Sequence, residues 1–156
     1  MEQHFSCIGV TNEKELHEVG NLLHDEYFRL SEVCWQKPEG IVQIHFQRIW
    51  HNGPRRVVKN RFLYRIEEVD VLRGMLRFNE VVRYEYRDQA HIDAYSFNRF
   101  VYDVNRGLIN VHCNCDVQLM LQVHRLDAEY KELEYRGTAR INVGWFWDSN
   151  SDIPTQ

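Results

Sequence analysis

Apolar side chains recur at Leu16, Val19, Leu23 and Tyr27, with Leu22 beside them. This is one stripe of a helical period, and Lys14, Glu18, Asn21 and Asp25 fall on the opposite side. Thr11 and Asn12 are capping residues, and Asn12 with Glu15 has capping-box spacing. The pattern predicts an amphipathic helix over about 12–27 that lays its stripe on a sheet. His17 and His24 sit seven residues apart at the border of the stripe, so "HEVGNLLHDE" lacks the close histidine spacing of a helical zinc motif.

From Phe28 onward the period changes to two, and β-branched and aromatic residues dominate. Strands are expected at about 29–36, 41–49, 61–72, 75–87, 95–102, 107–114, 117–130 and 133–147. Lys37-Pro38-Glu39-Gly40 and Asp103-Val104-Asn105-Arg106-Gly107 supply turns, and His51-Asn52-Gly53-Pro54 opens a longer loop.

The strand region repeats itself. "FRLSEVCWQKPEGIVQIHF" (28–46) aligns with "YSFNRFVYDVNRGLINVHC" (95–113), placing Gly40 on Gly107 and His45 on His112. A second pair, 61–71 with 118–128 and 76–86 with 133–143, follows at a smaller offset. The expected fold is α+β and mainly β. The N-terminal helix packs on an eight-strand antiparallel sandwich or barrel made of two related four-strand halves. A single domain over 1–150 would contain halves at about 28–88 and 95–148, with a flexible polar tail at 149–156.

Composition narrows the classes. The chain of 156 residues is 44% hydrophobic, enough for one packed core without staples. A net charge of −4 argues against nucleic acid as a partner. The one basic cluster, Arg55, Arg56, Lys59 and Arg61, lies in the expected loop and offers a partner-binding patch. "MEQHFSCIGV" has no basic region followed by an apolar run, and no stretch is apolar enough for a membrane helix. A cytoplasmic location is expected, with Cys7, Cys34, Cys113 and Cys115 reduced.

"VHCNC" (111–115) is the densest concentration of ligand-type side chains. Strand alternation sends Cys113 and Cys115 to one face and His112 to the other. The repeat puts Cys113 on Phe46 and Cys115 on Arg48, which reads Cys113 as a core position. A zinc site would need His112, Cys113 and Cys115 to converge, with His45 or Cys34 completing it. A redox-active or reactive thiol is the third reading. No cofactor is expected on the structural reading, and zinc is the alternative.

No nucleophile elbow, phosphate loop or dinucleotide fingerprint is present. Aromatic residues offer a different chemistry. Trp145, Phe146 and Trp147 form a run near the C-terminus, and Tyr84, Tyr86, Tyr95 and Phe97 lie on neighbouring strands. Alternation sets Trp145 and Trp147 on one face, as core or as a partner-binding patch.

"LLHDEYFRLSEV" (22–33), "LRFNEVVRYEYRDQAHIDAYSFNRFVYD" (76–103) and "GLINVHCNCDVQLMLQVHRLDAEY" (107–130) together resemble a class of small, functionally uncharacterised bacterial proteins. In that class a Leu-His-Asp helix end precedes aromatics and a strand, and a later aromatic-Asp pair, here Tyr102-Asp103, opens a turn. The chain has Tyr27-Phe28-Arg29 where the class often places Trp or Phe followed by Asp. The resemblance implies a fold and carries no activity.

The functional expectation is a non-catalytic binding or assembly module that engages a protein partner or a second copy through strand edges or the tryptophan face. The alternatives are a zinc protein built on His112, Cys113, Cys115 and His45, and a small enzyme with a pocket between the halves.

Overall fold

The computed structural model describes residues 5–50, 55–60, 64–144 and 148–149. The helix forms where its caps place it. The side chain of Asn12 accepts from the Glu15 amide at 2.9 Å, and Glu15 reaches back to the Thr11 amide at 2.8 Å. Helix α1 spans Glu13–Leu22 and buries Leu16 and Val19, with Leu23 buried just beyond it. It ends a turn earlier than the stripe suggests. Asp25 takes a left-handed φ of 65° and donates its amide to the Phe97 carbonyl, which turns the chain into a strand.

The strands are β1 Cys7–Val10, β2 Tyr27–Arg29, β3 Cys34–Gln36, β4 Ile41–Ile49, β5 Arg55–Asn60 and β6 Tyr64–Phe78. They continue as β7 Val81–Arg87, β8 Ala94–Asp103, β9 Leu108–Cys113, β10 Gln118–Val123, β11 Ala128–Gly144 and β12 Asp148–Ser149. All twelve belong to one sheet of antiparallel strand pairs, ordered β1-β11-β6-β4-β2-β8-β9-β10-β7. Strands β3, β5 and β12 pair alongside β4, β6 and β11. The chain is thus mainly β with one N-terminal helix, as its periodicity implies.

Among the described residues the sheet is not closed, and it holds twelve strands where eight were expected. Four strands are added: β1 and the cationic β5 come from segments without alternation, β12 lies at the start of the expected tail, and the expected strand 29–36 divides into β2 and β3 around a helical turn at Leu30–Glu32. Two expected strands also divide differently. The sequence suggests a break near Arg73-Gly74, yet β6 runs unbroken for fifteen residues and the chain reverses at Asn79-Glu80, where Glu80 has φ 56°. Likewise 117–130 is interrupted at 124–127. The two reversals are stitched together: the Asn79 amide donates to Asp127 and the His124 amide to Glu80.

One apolar core gathers residues from both ends of the strand order, including Val10 of β1 and Val81 of β7. A flat sheet would hold those ends about 38 Å apart, so the sheet curls around the core. Helix α1 lies against β8 and contributes Leu16, Val19 and Leu23 to the same core. A second small core of Ile49, Val69, Val71, Ala139 and Ile141 forms on the opposite face of β4, β6 and β11. In β6 the odd positions Val69 and Val71 point into it, while Leu76 and Phe78 point into the main core.

Gly74 is in β6 because two neighbours occupy the space of a side chain. A Cβ there would overlap the buried Phe46 ring and lie 2.8 Å from the Lys131 carbonyl. That vacancy lets Phe46 stack on Tyr130, with ring centroids 5.3 Å apart. Gly74→Ala should therefore destabilise the fold by about 1–3 kcal/mol in urea titrations. Gly9→Ala, with nothing within 4 Å of the added methyl, should change stability by under about 0.5 kcal/mol. Equal effects at the two glycines would overturn this account of Gly74.

Candidate functional site

The residues of "VHCNC" do not converge. Cys113 ends β9 facing the main core, 6% exposed, and burial pushes its thiol pKa up to about 12. Asn114–Asp116 then form a tight turn in which Cys115 and Asp116 both take left-handed backbone, and Cys115 is exposed. The Asn114 side chain anchors that turn by accepting from the Ser96 amide at 3.0 Å. His112 projects from the outer face of the sheet, where burial and the Arg99 guanidinium lower its pKa. His45 holds the same outward orientation on β4, its pKa lowered by burial and then by Arg73. Three strand spacings, about 14 Å, separate β4 from β9 along the sheet. Among the described residues, no three of His, Cys, Asp and Glu are grouped so as to hold a metal ion.

The basic cluster is a strand rather than a loop. Arg55 pairs with Glu67 at 3.3 Å, and Arg56 pairs with Glu68 and Asp70, both at 3.1 Å. Glu67 and Asp70 are buried, and Glu67 also receives Arg65 at 2.8 Å. The two arginines thus neutralise the acidic side chains of β6 and do not form an isolated cationic patch. Trp145 and Trp147 lie outside the described residues, as do Arg61 and the tail from 150 onward.

A buried polar network was not visible in the sequence. Arg48 donates to the Tyr130 hydroxyl at 2.7 Å and to Glu132 at 3.3 Å. Tyr130 donates to the same Glu132 oxygen at 2.9 Å, and the Ser6 amide binds the other at 2.8 Å. Beside it, Glu26 accepts from the Ile49 amide at 3.2 Å. Burial raises the Glu26 pKa to about 7 against the downward pull of that bond and of Arg48. The network ties the N-terminal segment and the entry to β2 onto β4 and β11, and it lies under the protein surface.

The accessible feature is elsewhere. Trp35, Tyr84, Glu85, Tyr86, Arg87 and Met120 line an open groove of about 570 Å³. Trp35 meets Tyr84 edge-on at 6.5 Å between ring centroids, and Tyr86 lies 6.1 Å beyond. The groove runs beside β7, the last strand in the sheet order, which among the described residues pairs only with β10. The Val81 amide donates to Gly40 at the start of β7. The aromatic group Tyr84, Tyr86, Tyr95 and Phe97 was visible in the sequence, but Tyr95 and Phe97 are buried in the core and only the two tyrosines of β7 reach the groove. Trp35 was not legible as part of it, since its meeting with β7 depends on the curl of the sheet.

No family model, curated protein or solved structure matches the chain.

Two solution measurements follow from these environments. Under native conditions Cys7, Cys34 and Cys115 should alkylate, whereas Cys113 should react only as the protein unfolds. Four equally fast thiols would contradict the buried position of Cys113. The second concerns Glu26, whose raised pKa means the folded state holds a proton that the unfolded state releases. Its favourable contribution is complete below about pH 4.5 and is lost as pH rises to about 7. Glu26→Gln should remove that dependence and raise stability at pH 8 by up to roughly 3 kcal/mol. A substitution that destabilises equally at pH 5 and pH 8 would refute the assignment.

Proposed function

We propose that the protein is a non-catalytic binding module that takes up a polypeptide along the edge of β7. The observation that carries this reading is the coincidence of a strand edge that is unpaired among the described residues with an open aromatic groove. A strand edge offers main-chain hydrogen bonds to any extended segment, and side-chain pockets beside it supply selectivity. Trp35, Tyr84 and Tyr86 present large rigid rings, the side chains that contribute most at protein interfaces. The acidic balance of the chain and the ion-paired Arg55 and Arg56 favour a protein partner over nucleic acid.

The sheet is best read as two related halves meeting at β2 and β8. The β3–β4 and β8–β9 turns support this. Gly40 and Gly107 have φ of 67° and 60°, and their carbonyls accept from Val81 at 2.9 Å and Val123 at 2.8 Å. A reducing, cytoplasmic setting fits four cysteines that are all free. Among the described residues no helix is long and apolar enough to cross a membrane.

A photoreactive benzoylphenylalanine in place of Tyr86 tests the binding surface in cells. It should form a covalent adduct with a polypeptide. The same group in place of Val104, 69% exposed in the β8–β9 turn, should form none. Absence of an adduct at 86, or equal yields at the two positions, would overturn the reading.

A further inference from the structure

Strand β7 is not the sheet's only free edge, but its side chains are distinctive. The cationic Arg55, Arg56 and Lys59 of β5 would set like charges close together if two copies of that strand paired. Strand β1 has four residues, "CIGV", and no charge to fix a register. Strand β7 reads "VVRYEYR" and carries both signs.

The Val81 amide is already held by Gly40, and the β7 ladder is irregular between Val81 and Arg83. An antiparallel pairing of β7 with β7 of a second copy therefore uses the part of the strand beyond Val81, and one register of that pairing is centred on Tyr84. In that register Arg83 stands opposite Glu85 of the second copy, and Glu85 opposite Arg83 of the second copy. The twofold axis therefore creates two ion pairs at once. Moving the centre by one residue either way destroys this. Centred on Glu85, the strands put Glu85 against Glu85 and Arg83 against Arg87. Centred on Arg83, they put Arg83 against Arg83. Cross-strand charge pairs stabilise when opposite and destabilise when alike, so the side chains select the register centred on Tyr84.

The surrounding surface agrees. Arg83 and Glu85 are paired with each other on the same strand and are both largely exposed, so two copies would merge their pairs into a four-charge ladder. Tyr86, 56% exposed, lies on the same face of β7 as Tyr84 and flanks the contact. Tyr84 meets Tyr84 on the axis, beside the groove that Trp35 borders. A twofold contact of this kind is self-limiting, because each copy has a single β7 edge to use.

We infer that the partner of the β7 edge is a second copy of this chain, joined in a twofold dimer by antiparallel β7 pairing centred on Tyr84. The inference rests on the binding-module reading above and narrows it to one partner. Sedimentation analysis of the full chain, with folding checked by circular dichroism, tests it by charge exchange. The wild-type protein should be a dimer. Arg83→Glu and Glu85→Arg should each weaken dimerisation by roughly tenfold or more. The double variant carrying both exchanges should restore it, which a purely local structural role would not do. If a single variant fails to fold, hydrogen exchange of the wild-type β7 amides replaces it: protection should rise with protein concentration. A wild-type monomer, a dimer indifferent to both single exchanges, a double variant that stays monomeric, or β7 protection independent of concentration would each overturn the inference. A monomer whose position 86 still cross-links a different protein would leave the binding-module reading standing. A monomer without any adduct would remove both.

Discussion

Strand β6 is paired along both edges for nearly its full length, with β11 on one side and β4 followed by β5 on the other. This constraint organises the molecule. A fifteen-residue strand inside a sheet shows two faces to its surroundings, and neither can remain wet where its side chains are apolar. One face is covered by the curl of the sheet and by α1. The other gathers its own small core at the far end of β6. Strand β11 follows β6 only by adding residues twice, at Leu133 and Arg136, where the pairing steps from Glu132 to Glu134 and from Tyr135 to Gly137. Such bulges bend a strand and increase its twist. They are what allow a long ribbon to coil around a core instead of projecting past it.

The same crowding explains why charged residues are found inside. Where β4, β6 and β11 lie side by side, Gly74 leaves a gap over which Phe46 reaches Tyr130. The next inward position on β4 is Arg48, too long to retreat and too enclosed to stay without partners. Tyr130 and Glu132 supply them, and Glu132 in turn holds the Ser6 amide. A buried ion pair is weak evidence of net stability, since desolvation offsets much of its attraction. Its effect here is positional: it fixes where the N-terminal segment joins the sheet edge, and so where β1 pairs with β11.

Much of this was legible in the sequence, and the exceptions have local causes. The helix start was readable because Asn12 and Glu15 satisfy amides that any helix leaves open. The strand Ile41–Ile49 and the turns ending in Gly40 and Gly107 were readable because alternation and left-handed glycine coincide there. The reversal at Glu80 was hidden because a non-glycine residue takes the left-handed conformation, and the glycine that suggested a break, Gly74, answers to packing instead. Strand β5 was hidden because all its side chains are exposed, so no apolar alternation marks it. At the candidate site the two tyrosines of β7 were visible. Trp35 and the network of Arg48, Tyr130 and Glu132 were not, because they are brought into place by contacts between distant parts of the chain.

An open sheet must deal with its edges, and the treatment differs from one to the next. Unpaired main-chain groups invite any passing strand, and charges of one sign on an edge discourage copies of the same strand from joining. Strand β5 carries that protection in Arg55, Arg56 and Lys59, and its pairs with β6 keep two of those charges fixed in place. Strand β1 is too short to hold a second strand by backbone bonds alone. Strand β7 follows neither rule. It is seven residues long, it alternates charge sign, and it places two tyrosines beside an open groove. Charges of both signs do not repel a strand in general. They choose among registers, admitting the one that sets Arg83 against Glu85. An edge that selects a register in this way is organised for contact, whereas an edge of uniform charge is organised to avoid it.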